Sequence, residues 1–72
     1  MEGKIIALIE DVLGIEKGSI NRNTRIEDVE EWDSLMHVMI IGELENRLSI
    51  SVPLEEAAEV ESVDELMKLI EG

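Results

Sequence analysis

The chain has 72 residues, the size of one small domain, so we expect a single domain over residues 1–72. It carries 18 acidic and 6 basic residues, a formal net charge of -12. Such a charge repels phosphate backbones and anionic lipids, which argues against nucleic-acid or membrane binding. It favours basic protein partners that associate quickly, although acidity also serves solubility alone.

The residue types also limit the chemistry. The chain has no cysteine and 1 histidine, which excludes disulfides and the usual structural zinc sites. It has no apolar run of membrane-spanning length and no signal-peptide pattern, so we expect a cytoplasmic protein. The hydrophobic residues make up 44% of the chain and are nearly all aliphatic, with Trp32 the single aromatic residue. This composition favours helices.

Apolar periodicity predicts an all-α fold, a small four-helix bundle with a long loop between its first two helices. The first helix is predicted from about Gly3 to Leu13, and Gly14 ends it. Its apolar stripe is centred on Ile5, Ile9 and Val12, and the charged residues expected on the outside are Glu2, Lys4, Glu10 and Asp11.

The long loop and the later helices follow. We expect the polar loop 15–33 to contain a helical turn and to be anchored by its apolar residues Ile15, Ile20, Ile26 and Val29. The second helix is predicted from Asp33 or Ser34 to about Leu48 and is followed by a break that ends in Pro53. A short third helix is predicted over about Leu54–Glu59. Ser62 and Glu65 fit a capping box that starts the fourth.

The second helix is apolar nearly all round in its first two turns. At about 100° per residue, its core side consists of His37, Ile40, Ile41, Leu44 and Leu48. Leu35, Met36 and Met39 lie roughly opposite, with Val38 at their margin. Either the long loop covers this second side or it is an exposed patch for a partner. We favour the patch, because a chain of this size has few elements with which to bury both sides.

Ser34 begins the second helix. Asp33 is a good N-cap, and a hydroxyl at the first helical position lies beside free backbone N–H groups and the positive end of the helix dipole. This position favours a phosphate attached to the serine oxygen. Taken alone, an Asp-Ser pair at a helix start is usually only a cap.

The sequence Asp33-Ser34-Leu35 at the start of a mid-chain helix resembles the attachment motif of acyl carrier proteins. The resemblance extends over nearly the whole chain, including Ile50 to Pro53 before an acidic short helix. It implies that a phosphopantetheinyl transferase moves 4'-phosphopantetheine from coenzyme A to Ser34, and that acyl groups are carried on the terminal thiol as thioesters. Asp33 would assist the transferase and its magnesium ion.

The resemblance further implies a carrier without catalytic residues of its own, whose partners are the transferase and acyl-loading and acyl-processing enzymes. We expect a monomer without a metal site, because the sequence gives no oligomeric signal beyond its size and charge. Leu35 would lie at the docking surface for the partner enzymes. Together with the exposed apolar side and the remaining acidic residues, the predicted docking set is Leu35, Met36, Val38, Met39, Glu43, Glu45, Glu55 and Glu56.

Two departures from general fatty-acid carriers concern the pathway. Trp32 stands where those carriers usually have a small residue, and Met36 and Met39 stand where they tend to be acidic. The stretch Glu31 to Leu35 resembles stand-alone carriers of specialised pathways, so we expect partners other than the general fatty-acid enzymes. We expect Trp32 itself to be a hydrophobic plug between the loop and the bundle.

Alternative functions remain open. An aminoacyl or peptidyl carrier has an overlapping serine context, and a helical interaction module would work without modification. A serine hydrolase that uses His37 lacks the Gly-x-Ser-x-Gly elbow, so a histidine bonded to a loop carbonyl is the better interpretation. The acidic run 27–31 lacks the spacing of a calcium loop, and any metal site there should be weak.

Overall fold

The computed structural model describes residues 2–71, and within them the chain forms four α-helices and one 3₁₀ turn. The all-α prediction is confirmed. The elements in chain order are α1 (Glu2–Leu13), the 3₁₀ turn (Ile26–Asp28), α2 (Ser34–Leu48), α3 (Leu54–Ala57) and α4 (Val63–Glu71). Within residues 2–71, no helix has the length and apolar character needed to traverse a bilayer.

The core is aliphatic apart from Trp32. Helix α1 packs against α2, and α3 packs against α4. The side chains with no exposed area are Ile5, Ile9, Ile40, Leu44, Ala57, Val63, Leu66 and Met67. Burying such side chains is the main source of stability for a chain that has no disulfide.

Gly14 ends α1 as expected. Its φ of +71° lies in the left-handed region that glycine adopts without strain. The Ile15 amide donates to the Glu10 carbonyl at 3.1 Å, and the Gly14 amide donates to the Asp11 carbonyl at 3.2 Å. These two bonds form a Schellman motif, which satisfies carbonyls at the helix end.

Glu10 is buried, which contradicts the prediction that it lies on the outside of α1. It is only 2% exposed, because the long loop returns over the end of α1 and covers it. One carboxylate oxygen accepts from the Gly18 amide at 2.8 Å and more weakly from the Ile20 amide at 3.5 Å. The periodicity of α1 alone does not show this role, since the partners of Glu10 are backbone groups of the loop.

The loop is anchored to the start of α4. The Ile26 amide donates to the Glu61 carbonyl and the Val63 amide to the Thr24 carbonyl, each at 3.0 Å. The anchoring prediction is confirmed, because the apolar loop residues are buried or half-buried against the core: Ile15, Ile20, Ile26 and Val29. The predicted helical turn is also present as the 3₁₀ turn.

One helix boundary and one capping contact differ from the prediction. Helix α3 ends at Ala57, not Glu59, because the next residues form a turn that leads to the loop contacts at Glu61. At the start of α4 the Glu65 amide donates to the Ser62 hydroxyl at 3.2 Å, which confirms the N-cap. The Glu65 carboxylate reaches the amide of Glu61, one residue before the usual capping-box partner.

Arg22 links the loop to both ends of the described chain. Its guanidinium forms ion pairs with Glu2 of α1 and with Asp64 and Glu71 of α4. Hydrogen bonds from Arg22 and, with a smaller effect, from Lys68 lower the pKa of Asp64 below its ordinary value. This cluster offsets part of the repulsion among the many carboxylates.

Glu10→Ala tests whether the buried carboxylate holds the loop. The variant leaves the Gly18 and Ile20 amides without their acceptor, so we expect the free energy of unfolding to fall by about 1–3 kcal/mol. Urea denaturation followed by circular dichroism measures it. Glu10→Gln should lose less, because an amide oxygen still accepts, and the exposed Glu16→Ala should lose almost nothing. A Glu10→Ala protein as stable as wild type would contradict the role.

Candidate functional site

Asp33 caps α2 and places Ser34 at the first helical position. The Asp33 backbone is extended, and its Oδ1 accepts from the Met36 amide at 2.9 Å. The Asp33 carbonyl accepts from the His37 amide at 2.9 Å, the first hydrogen bond of the helix. The predicted start of the helix and its cap are both confirmed.

Ser34 is exposed. It lies at the N-terminal end of α2, where the first backbone N–H groups point outward. Asp33 satisfies the Met36 amide, so the amides of Ser34 and Leu35 are the ones left for an anion held on the serine oxygen. A phosphodiester fits this arrangement, because it is an anion and the hydroxyl is accessible to an enzyme.

Behind Ser34, two hydrogen bonds connect the preceding loop to α3. The Trp32 indole N–H donates to Nδ1 of His37 at 3.0 Å, and Nε2 of His37 lies 2.7 Å from the Ala57 carbonyl. An indole nitrogen only donates, so Nδ1 is the acceptor and Nε2 carries the proton given to the carbonyl. We call these contacts the Trp32–His37–Ala57 bridge.

The Trp32–His37–Ala57 bridge tests the predictions made for Trp32 and for His37. Trp32 is only 5% exposed, which confirms the hydrophobic plug. The carbonyl that His37 contacts is at the end of α3, whereas the sequence indicated one in a loop. Both ring nitrogens are occupied, so His37 has none left to act as a base on Ser34. The arrangement does not support a hydrolase.

A groove of about 470 Å³ lies beside the start of α2. Asp33 and Ser34 belong to its lining. The other lining residues are mostly apolar: Ile26, Trp32, His37, Val38, Ala58 and Val60. Sequence reasoning missed this groove, because its walls come from the 3₁₀ turn, from α2 and from the segment after α3.

The apolar side of α2 is exposed where it was predicted. The exposed fractions are 67% for Leu35, 57% for Val38 and 46% for Met39. Met36 differs, since it is half-buried and packs against the core. Sequence reasoning missed Leu54, which is 60% exposed at the first position of α3. Its place directly after Pro53, where α3 begins, was the available signal.

The predicted acidic residues fall into two groups. Glu45, Glu55 and Glu56 are exposed. Glu43 instead accepts a hydrogen bond from Arg47 at 2.6 Å, and Arg47 also contacts Asp11 of α1 at 2.8 Å. The hydrogen bond and charge of Arg47 lower the pKa of Asp11. Glu43 therefore takes part in an ion-pair cluster within the molecule.

Among residues 2–71, no three candidate ligands are grouped so that they could hold a metal ion.

Comparisons with known proteins agree with this geometry. The family model described as "Phosphopantetheine attachment site" matches residues 3–70. The solution structure of a holo acyl carrier protein from Geobacter metallireducens superposes with a TM-score of 0.82 and 26% identity, over 99% of this chain and 84% of that chain. The 3-methylorcinaldehyde synthase tropA of Talaromyces stipitatus is 34% identical over 62 residues, which is 86% of this chain.

The fold and the family match define a non-catalytic carrier whose cofactor is phosphopantetheine. The chain belongs to the phosphopantetheine-attachment family of carrier proteins and has the fold of an acyl carrier protein. It spans only 2% of the length of the Talaromyces synthase that it matches.

His37→Phe tests the Trp32–His37–Ala57 bridge. A phenyl ring fills similar space but leaves the indole N–H unpaired and the Ala57 carbonyl with only its 3.4 Å bond from the Val60 amide. We therefore expect the free energy of unfolding to fall by about 1–3 kcal/mol. Urea denaturation followed by circular dichroism measures it in every variant, including those that lack Trp32. Trp32→Phe and the double variant complete a cycle, and the two losses should be clearly non-additive. Additive losses would show that the two rings do not stabilise each other.

Proposed function

We propose that Ser34 carries the 4'-phosphopantetheine group and that the protein presents acyl thioesters on its terminal thiol to a series of enzymes. The observation that carries this proposal is the exposed position of Ser34 at the first turn of α2, beside the groove. The thiol supplies the acyl-bearing chemistry, which explains how a protein without catalytic residues takes part in synthesis.

The other serines are poorer attachment sites. The Ser19 hydroxyl donates to the Glu16 carbonyl at 2.5 Å, and the Ser62 hydroxyl accepts from the Glu65 amide. Ser49 and Ser51 follow the end of α2, where helix carbonyls concentrate negative charge. Ser34 combines exposure with the positive end of a helix, which favours the negatively charged phosphodiester.

The loading reaction needs little from the carrier. The Ser34 oxygen forms a bond to the phosphorus of the pantetheine phosphate, the bond from that phosphorus to adenosine bisphosphate breaks, and the hydroxyl proton leaves. We propose that Asp33 assists the transferase and its magnesium ion. Its Oδ1 is engaged with the Met36 amide, so the cap also fixes where the carboxylate lies.

Docking on the proposed carrier combines charge with a small apolar anchor. Leu35, Val38 and Met39 offer the anchor, and the exposed acidic residues attract a basic enzyme: Glu45, Glu55 and Glu56. Electrostatic attraction raises the rate of encounter, and a small anchor allows quick release. Met36 and Glu43 contribute less in this proposal, because both are engaged inside the molecule.

Acyl groups are the proposed cargo. The holo acyl carrier protein and the aldehyde synthase among the similar proteins support acyl over aminoacyl cargo. The buried Trp32 and the exposed Met39 distinguish the sequence around Ser34 from that expected for general fatty-acid synthesis. The proposed partners are therefore loading and processing enzymes of a specialised cytoplasmic pathway, which act on a monomeric carrier.

A mass measurement tests Ser34. With coenzyme A and a broad-specificity phosphopantetheinyl transferase, the intact mass should rise by one phosphopantetheine. The reason is that the Ser34 residue is exposed at a helix start, whereas the Ser62 hydroxyl at the start of α4 is engaged with the Glu65 amide. Ser34→Ala should keep its mass, while the matched control Ser49→Ala should be modified like wild type. Circular dichroism checks that both variants fold. A wild-type mass that no transferase changes, or a modified Ser34→Ala, would refute the proposal.

A further inference from the structure

The basic side chains of this acidic protein are unevenly placed. Among residues 2–71, the three arginines and Lys68 each form an ion pair with a carboxylate. Lys4 and Lys17 form none within that range, although the chain has 18 acidic residues. Both lysines are exposed, and both line the same groove. On a protein of net charge -12, two cations that lack an ion pair within residues 2–71 therefore share one surface.

This groove has a volume of about 300 Å³ and lies between α1 and the end of α2. Its apolar lining residues are Ala7, Leu8 and Leu48, and Leu8 is almost completely buried. The Lys17 Nζ donates to the Ala7 carbonyl at 3.4 Å, which keeps the ammonium group beside this apolar floor. We call the site the α1–α2 groove.

The acidic residue of the α1–α2 groove does not neutralise the two lysines. Asp11 accepts a hydrogen bond from Arg47 at 2.8 Å, and Arg47 also donates to Glu43 at 2.6 Å. The charge of Asp11 is therefore matched by an arginine, while both ammonium groups remain uncompensated. An apolar floor with positive charges at its edge is complementary to a segment in which carboxylates flank apolar side chains.

Ser34 lies at the other end of α2 from this groove. Arg47 follows Ser34 by thirteen residues, about 20 Å along the helix axis. The molecule measures 25 × 21 × 21 Å, so this separation is close to its full width. The exposed carboxylates that precede or cap Ser34 are Glu30, Glu31 and Asp33, and they repel another acidic segment. Charge therefore favours an acidic segment at the groove and disfavours it at Ser34.

We infer that the α1–α2 groove binds an acidic segment of a partner protein, with apolar side chains between its carboxylates. Lys4 and Lys17 pair with the carboxylates, and the apolar floor receives the side chains between them. The role of this contact rests on the proposed function: it holds the carrier beside one protein while Ser34 stays open to the enzymes that act on the arm. Both partners can bind together, because the groove and Ser34 are at opposite ends of α2.

Removing the two lysine charges tests the inference. The probe is a fluorescein-labelled peptide of glutamate, aspartate and leucine, titrated with the full chain and followed by fluorescence anisotropy. The double variant Lys4→Gln/Lys17→Gln should bind it about tenfold more weakly than wild type, because two exposed ion pairs are lost. The matched control Arg25→Gln/Lys68→Gln loses the same two charges outside the groove and should bind like wild type. Circular dichroism checks that both variants fold.

Three results of this titration would overturn the inference. Wild type that does not bind the peptide lacks the site. A lysine variant that binds as tightly as wild type shows that Lys4 and Lys17 take no part. An equal loss in both double variants shows that the peptide responds only to the overall charge of the protein.

Amide chemical shifts locate the contact. With the peptide, the amides that line the α1–α2 groove should shift, and those of Ser34 and Leu35 should not. Shifts confined to the exposed side of α2 would contradict the inference, and so would equal shifts caused by inorganic phosphate, which would indicate a general anion site. Wild type that a transferase modifies but that does not bind the peptide refutes the groove alone. Wild type that binds the peptide but is never modified refutes the proposed function alone.

Discussion

The two hydrogen bonds of the Trp32–His37–Ala57 bridge fix the position of Ser34, the proposed attachment site. Trp32 precedes Ser34 by two residues and His37 follows it by three, so one bond spans the serine and the other connects its helix to α3. The indole N–H, both imidazole nitrogens and the carbonyl are satisfied together. A half-buried polar pair is stabilising only under that condition, because an unpaired buried group is costly. The first turn of α2 is therefore held from both sides while Ser34 itself remains exposed.

Much of the fold could be predicted because local signals agreed with one another. Gly14 ends α1, Asp33 caps α2 and Ser62 caps α4, and each acts within a few residues of its own position. The position of Ser34 follows from the cap beside it. The burial of Glu10 could not be predicted, since its acceptor role depends on where a distant loop returns. Local patterns determine helix ends, whereas tertiary contacts decide which face of a helix becomes covered.

The same distinction applies to the candidate docking surface. The helical wheel identified Leu35, Val38 and Met39 as an exposed set, because few elements were available to cover them. It also assigned Met36 and Glu43 to that surface, although the core and Arg47 engage them. A wheel gives the direction of a side chain but not its partners. A helical wheel could not predict the groove beside Ser34, because separate segments of the chain form it.

The exposed face of α2 has a stability cost that this small domain tolerates. Leu35 and Val38 leave most of their surface in water, and Gly42 adds the backbone penalty of an interior glycine. The opposite face offsets these costs, with Ile40 and Leu44 fully buried against the rest of the core. The helix therefore packs against the core mainly through one face. The other side is not needed to keep the carrier folded, so it can serve the partner contacts that we propose.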